Sequence, residues 1–142
     1  MLEELDVRTA WEVIAPGIES VRSEMPWPMW RSEDIYAACL SGEAHTLVQP
    51  EVGPQTAFLV VKIVDNGGML GKSLFLWIAW SKDAESAGKV MGDLEDIARR
   101  MGCSSIDFST GSPRLVQYAE VFGFNKIMYN VRKDVSLEAD PL

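Results

Sequence analysis

"SLFLWIAWSKDAES", residues 73–86, passes from an unbroken apolar run into a polar, acid-rich segment, and the reading of that joint decides the fold. Leu74, Leu76 and Ile78 alternate with Phe75, Trp77 and Ala79, so a strand here is apolar on both faces. Such a strand belongs at the centre of a sheet that is covered on both sides. Beyond it, Ala87, Val90, Met91, Leu94, Ile97, Ala98 and Met101 fall on one helical stripe. They predict a single helix from about Asp83 to Met101, stopped by Gly102. "CSSIDFS", residues 103–109, reads as the next strand, and the helix between makes the two strands parallel neighbours.

Upstream, "DNGG" at 65–68 supplies the positive-φ positions of a hairpin turn between this strand and an earlier one over 57–64. Another strand fits 45–49. A helix over Ser32–Leu40 has Ser32 to cap it, Glu33 and Asp34 in its first turn and Gly42 after its end. From Val7 to Met25 the spacing of Trp11, Ile14, Ile18 and Val21 is helical, with Pro16-Gly17 expected to kink or split the element.

Downstream, "GSPRLVQYAEVFGF", residues 111–124, is a short helix with Leu115, Ala119 and Phe122 expected to face inward, ending at Gly123. "FNKIMYNVRKDV", 124–135, reads as the last strand, and 136–142 as a frayed tail. Three consecutive strands followed by strand and helix in alternation give an α/β architecture, a central mixed sheet with helices on both faces. No repeat, low-complexity tract or linker divides residues 1–142, so a single domain is expected.

The balance of 13 basic against 21 acidic residues, net −8, argues against affinity for nucleic acid or anionic lipid, which requires a basic surface. No apolar run approaches the roughly 20 residues of a membrane span, and "MLEELD" is no secretory leader, so a cytosolic location in the producing or host cell is expected. Cys39 and Cys103 have no clustered partners and read as reduced, buried or half-buried thiols. With His45 the sole histidine, no metal site is expected.

The order of elements over residues 31–133, and most specifically over 73–124, resembles the GCN5-related N-acetyltransferase (GNAT) superfamily. The family's first strand, before its first helix, is missing or very short here. The resemblance implies acetyl-CoA as cofactor and an amine as acceptor. In the family the loop after the central strand carries Arg or Gln, two residues, Gly, one residue, then Gly or Ala. This chain offers "KDAESA", with Lys82 at the first position, Glu85 at the first glycine and Ala87 at the last. The backbone of Trp77, Ile78, Ala79 and Trp80 would pair with pantetheine, and Lys82 with the amides of Ser86, Ala87 and Gly88 would hold pyrophosphate. Asp83 and Glu85 oppose an anion there, and the same residues also read as a well-capped helix start.

The family's thiolate-protonating tyrosine lies four residues before the glycine of the "GF" turn, which is Ala119 here. Tyr118 is adjacent and is the catalytic candidate, although one helical step turns a side chain by about 100°. Ser112 falls where the family places a cofactor-contacting asparagine, and serine there is also an ordinary N-cap. Glu33, Asp34 and Asp107 are the candidate bases, each with a structural reading beside it; His45 has no obvious acidic partner and reads as a half-exposed structural histidine, and no base is assigned.

Small GNAT-like proteins with eroded loops occur among the products of tailed bacteriophages, some as virion or morphogenesis components. This chain is similar to them in size, altered loop and absent tyrosine. That resemblance implies a non-catalytic role, with a protein partner, a homo-oligomer or a phage assembly partner. "MPWPMW", residues 25–30, puts Trp27 and Trp30 in the core, in a substrate pocket or at such an interface.

Overall fold

A computed structural model describes residues 1–25, 30–110, 113–127 and 131–137. The chain forms two compact units, Met1–Gly111 and Ser112–Leu142.

In the first unit, β1 (Glu3–Glu4), β2 (Ala44–Val48), β3 (Ala57–Asp65), β4 (Lys72–Ser81) and β5 (Ser105–Asp107) lie side by side in chain order. β1 to β4 are antiparallel neighbours; β5 is parallel to β4. This is the mixed sheet expected from the sequence, and the short first strand is the two-residue β1. β3 and β4 are joined through Gly67 and Gly68 at φ 76° and 49° and a 3-10 turn, Gly68–Leu70. Among the described residues no helix is long and apolar enough to cross a membrane.

Helices α1 (Val7–Glu24) and α2 (Ser32–Ser41) bury Ile14, Ile18, Trp30 and Ile35 with Phe58, Val60 and Ile78 in one cluster. Helices α3 (Ala84–Gly92) and α4 (Leu94–Arg100) bury Val90, Leu94 and Ile97 with Leu59, Val61, Leu74 and Leu76 in another. Phe58 and Val60 therefore alternate with Leu59 and Val61, which is why β3 reads as a continuous apolar run.

β4 departs from simple alternation. Val60 is opposite Ile78 and Val61 opposite Leu76, so Trp77 is an extra residue, a β-bulge. The bulge flips the parity: Leu74 and Leu76 join the α3 and α4 cluster, while Trp77 and Ile78 both pack with the α1 and α2 cluster. The expectation that Leu74, Leu76 and Ile78 share a face is corrected by this one residue.

Three helix boundaries also differ from expectation. α1 runs unbroken through Pro16; Gly17 is buried against the sheet, where an added Cβ would stand 2.7 Å from Phe58 Cε1 and 2.9 Å from Trp80 Cδ2. Tertiary packing of this face outweighs the helix-breaking tendency of Pro-Gly. α2 is capped at Arg31, whose backbone N–H donates to Asp34 Oδ2 at 2.8 Å; the Ser32 hydroxyl donates instead to Glu19. The expected helix over 83–101 is two helices, interrupted at Asp93, whose carboxylate accepts from Gln49 Nε2 at 3.2 Å. Gly92 before it is a poor helix former, so the break occurs where the helix is weakest.

In the second unit α5 (Pro113–Val121) ends at Gly123, φ 88°. The Phe124 N–H donates to Ala119 O and the Gly123 N–H to Glu120 O, at 3.2 and 3.0 Å, the paired bonds of a Schellman stop. Ala119 is buried as expected, but Leu115 and Phe122 are exposed. The expected last strand over 124–135 is not formed over 124–127 and 131–135, and its remaining residues, 128–130, lie outside the described residues.

Candidate functional site

The register of β4 creates the main feature. On one side it pairs with β3 as far as Ala57 opposite Ser81; on the other its pairing with β5 stops at Phe75 opposite Asp107. From Leu76 to Ser81, one edge of β4 has no strand beside it among the described residues. Trp77, Ile78, Ala79 and Trp80 all lie on this stretch. The bulge at Trp77 increases the local twist. The Trp77 ring is covered by Lys62, whose Nζ is 3.6 Å from the ring centroid, and Trp80 packs at 5.6 Å on Phe58.

β4 leads directly into α3. The Lys82 N–H donates to Thr56 O at 2.7 Å, anchoring the backbone of the loop while its side chain stays exposed. Asp83 is the N-cap: its Oδ1 accepts from the Ser86 N–H at 2.8 Å. This bond, with a further one to the Ser86 side chain and the nearby charges of Lys82 and Lys89, holds the Asp83 carboxyl below its ordinary range. The Asp83 backbone N–H donates to Ser81 Oγ at 3.2 Å, and Ser81 Oγ donates to the Asp83 carbonyl.

The Ala87 N–H closes the first helical bond to Asp83 O at 3.2 Å. Ser86 and Ala87 thus both direct their amides at Asp83. Gly88 lies further along α3, and a Cβ added there would meet nothing. Glu85 is exposed and forms an i,i+4 ion pair with Lys89 at 3.8 Å. The anion closest to the α3 N-terminus is therefore the chain's own Asp83.

Tyr118 in α5 is partly exposed and packs edge-on against Phe122, ring centroids 5.2 Å apart, whereas Ala119 beside it is buried. Ser112 and Trp27 lie outside the described residues. Trp30 is in the core, and its carbonyl accepts from Arg22 Nε at 3.0 Å, so its indole is not part of an exposed aromatic surface.

Among the candidate bases, Asp34 is engaged by the Arg31 backbone N–H and then by its guanidinium, which lower its pKa. Asp107 is half-buried on β5 opposite Phe75, and Glu33 is exposed in the first turn of α2. His45 does have an acidic partner: its Nδ1 lies 2.7 Å from Glu4 Oε1. The pairing of β1 with β2 brings these residues together across 41 positions, a proximity that local sequence does not signal.

A separate cleft of about 410 Å³ lies where β1 and α1 meet α2 and β2, lined by Leu5, Asp6, Arg8, Cys39, Leu40 and Thr46. Cys39 Sγ is 3.4 Å from Thr46 Oγ1, and burial raises the pKa of this thiol. Both cysteines are free thiols. The cleft shares no lining residue with the β4 edge or the α3 N-terminus.

No family model and no curated protein matches the sequence. Solved structures do. A tetramutant of the BH1408 protein from Bacillus halodurans is similar with a TM-score of 0.73 at 11% identity, over 95% of this chain and 99% of that one. Glucosamine-6-phosphate N-acetyltransferase from Arabidopsis thaliana gives 0.67 at 14% identity, over 96% and 98%. An aminoglycoside acetyltransferase from an uncultured soil metagenomic sample, in complex with sisomicin, gives 0.68 at 9%, over 97% and 96%. At these identities the likeness establishes the fold, and the chain has the GNAT acetyltransferase fold.

Proposed function

We propose that the protein is an acetyl-CoA-dependent N-acetyltransferase whose cofactor site is partly closed by its own loop. The observation that carries this reading is the edge of β4 over Leu76–Ser81, which has no strand beside it among the described residues and runs directly into the α3 N-terminus. An extended, amide-bearing pantetheine arm has the hydrogen-bonding pattern of a strand, so the Trp77–Trp80 backbone fits it as an added strand would. The cofactor supplies an acyl thioester for attack by an amine.

The chain's residues would bind and orient it. Lys82 is positioned by its backbone bond to Thr56 and would meet the pyrophosphate from the exposed side of the loop. Ser86 can donate its amide to phosphate only after Asp83 leaves it, and Ala87 and Gly88 would contribute the dipole of the helix start. The roles of Tyr118, in protonating the departing thiolate, and of Ser112, as a further cofactor contact, rest on the family resemblance alone.

The Asp83 to Ser86 bond favours a second reading, a non-catalytic binding or assembly protein with an unidentified protein partner, as in phage morphogenesis. A helix start already satisfied by its own carboxylate has less need of a ligand. Amide hydrogen exchange with CoA added separates the two. Slowed exchange in residues 77–80 supports the cofactor reading, and unchanged exchange there at saturating CoA supports the second.

A further inference from the structure

The register sets Lys62 of β3, Phe75 of β4 and Asp107 of β5 side by side in one row across the sheet. Their neighbours in the chain, Val61, Leu74, Leu76, Ile106 and Phe108, pack on the α3 and α4 side. The row therefore faces the other side, where α1 and α2 cover Phe58, Val60 and Ile78. Phe75 joins neither core cluster, and all three residues of the row are half-buried. Lys62 Nζ lies 3.6 Å from the centroid of the Trp77 ring, which holds the ammonium over β4, the strand between Lys62 and Asp107. Asp107 is the last residue of β5 to pair with β4, so it stands at the fork where the edge over Leu76–Ser81 begins. The chain has 21 acidic residues for 13 basic ones, yet neither Lys62 nor Asp107 forms an ion pair among the described residues.

We propose that this row binds a free amino acid, its ammonium on Asp107 and its carboxylate on Lys62. The β3 and β5 backbones are two strand spacings apart, about 9.5 Å, so the two charges leave room between them for a molecule of amino-acid size. Phe75 and Trp77 form an aromatic floor that keeps water from one side and strengthens both charge-assisted hydrogen bonds. The single ammonium of Lys62 matches the single charge of a carboxylate, whereas a phosphate dianion would leave one charge unmatched near Asp107. An amine without an anion would leave Lys62 unmatched, so the pair selects for both groups at once. The role of this amino acid as acetyl acceptor rests on the acetyltransferase reading, with its amine held beside the β4 edge proposed for pantetheine. Transfer forms the amide C–N bond and breaks the thioester C–S bond; of the two protons the ammonium loses, one goes to the departing thiolate and one to water.

The test is calorimetric titration of the full chain, without cofactor, with each of the protein amino acids, the carboxamide of any that binds, and phosphoethanolamine. At least one amino acid is expected to bind, and its carboxamide, which lacks the anion, at least about tenfold more weakly. Lys62→Gln should weaken the amino acid by a similar factor and leave the carboxamide unchanged, while Asp107→Asn should weaken both. Circular dichroism verifies that each variant is folded. A residue of purely structural importance would not divide the two ligands in this way. No binding of any amino acid, a carboxamide or phosphoethanolamine that binds as tightly as the amino acid, or folded variants that bind as the wild type does would each overturn the proposal. If either variant unfolds, the wild-type comparison of amino acid with carboxamide still decides. Acetyl-CoA takes no part in these titrations, so loss of the acetyltransferase reading and loss of this one are separate results.

Discussion

Asp83 Oδ1 accepts a hydrogen bond from the Ser86 backbone N–H at 2.8 Å, so the helix end that would receive a phosphate already holds a carboxylate. Glu85 is exposed on the outer side and pairs with Lys89. The two acids of the loop are therefore not equivalent. Asp83→Ala should tighten CoA binding several-fold by freeing the Ser86 amide, and Glu85→Gly should tighten it less. Equal gains, or a larger gain from Glu85→Gly, in parallel titrations would show that Asp83 is not the obstacle.

Gly17 is the point where α1 meets the sheet. Ala for Gly inside a helix normally stabilises by about 1 kcal/mol, but the new Cβ would press on Phe58 and Trp80 at 2.7 and 2.9 Å. Overpacking of this kind costs about 1–3 kcal/mol. Gly17→Ala should therefore lower the melting temperature, with an altered tryptophan emission spectrum as the Trp80 ring moves. A higher melting temperature would show that α1 does not sit this close.

Trp30 belongs to the core. Trp30→Ala should cost about 3–5 kcal/mol through the cavity it leaves. Denaturant unfolding measures this directly, and a change within error would return Trp30 to the surface.

Asp6, Asp34 and Asp83 stand at the starts of α1, α2 and α3, and each has its pKa lowered from 3.8. The leading causes are the Arg8 side chain for Asp6, the Arg31 backbone N–H for Asp34 and the Ser86 backbone N–H for Asp83. A carboxylate with a depressed folded pKa adds stability above its unfolded value and loses it as pH falls through the folded value. Stability from these helix starts should thus be fully present at neutral pH and fall below 3.8. The triple Asn variant, in acid unfolding followed by circular dichroism, should show a shallower fall. An identical acid slope would contradict the assignment.

The parts of the fold legible in the sequence are those set by local pattern. The two-sided apolarity of β4 and the stripe from Ala87 to Ile97 fix the central strand and its crossover, and the parallel pairing of β4 with β5 follows from them. The Trp77 bulge was not legible, because an inserted residue in an all-apolar run leaves the composition unchanged. The contact of His45 with Glu4 depends on strand pairing across 41 positions and has no local trace. Within the loop, the reading of "SKDAES" as a capped helix start anticipated the Asp83 cap, but sequence alone did not distinguish Asp83 from Glu85. The strand expected over 124–135 shows the limit of periodicity, because alternation alone does not decide whether a strand forms.

Calorimetric titration of the wild-type protein with acetyl-CoA tests the central claim, that the open edge of β4 and the loop after it form a cofactor site. The account predicts saturable one-site binding, weakened several-fold in Lys82→Ala and strengthened in Asp83→Ala. The absence of binding heat at several temperatures, for the wild type and for Asp83→Ala alike, would contradict it and leave the protein a GNAT-fold scaffold without the cofactor.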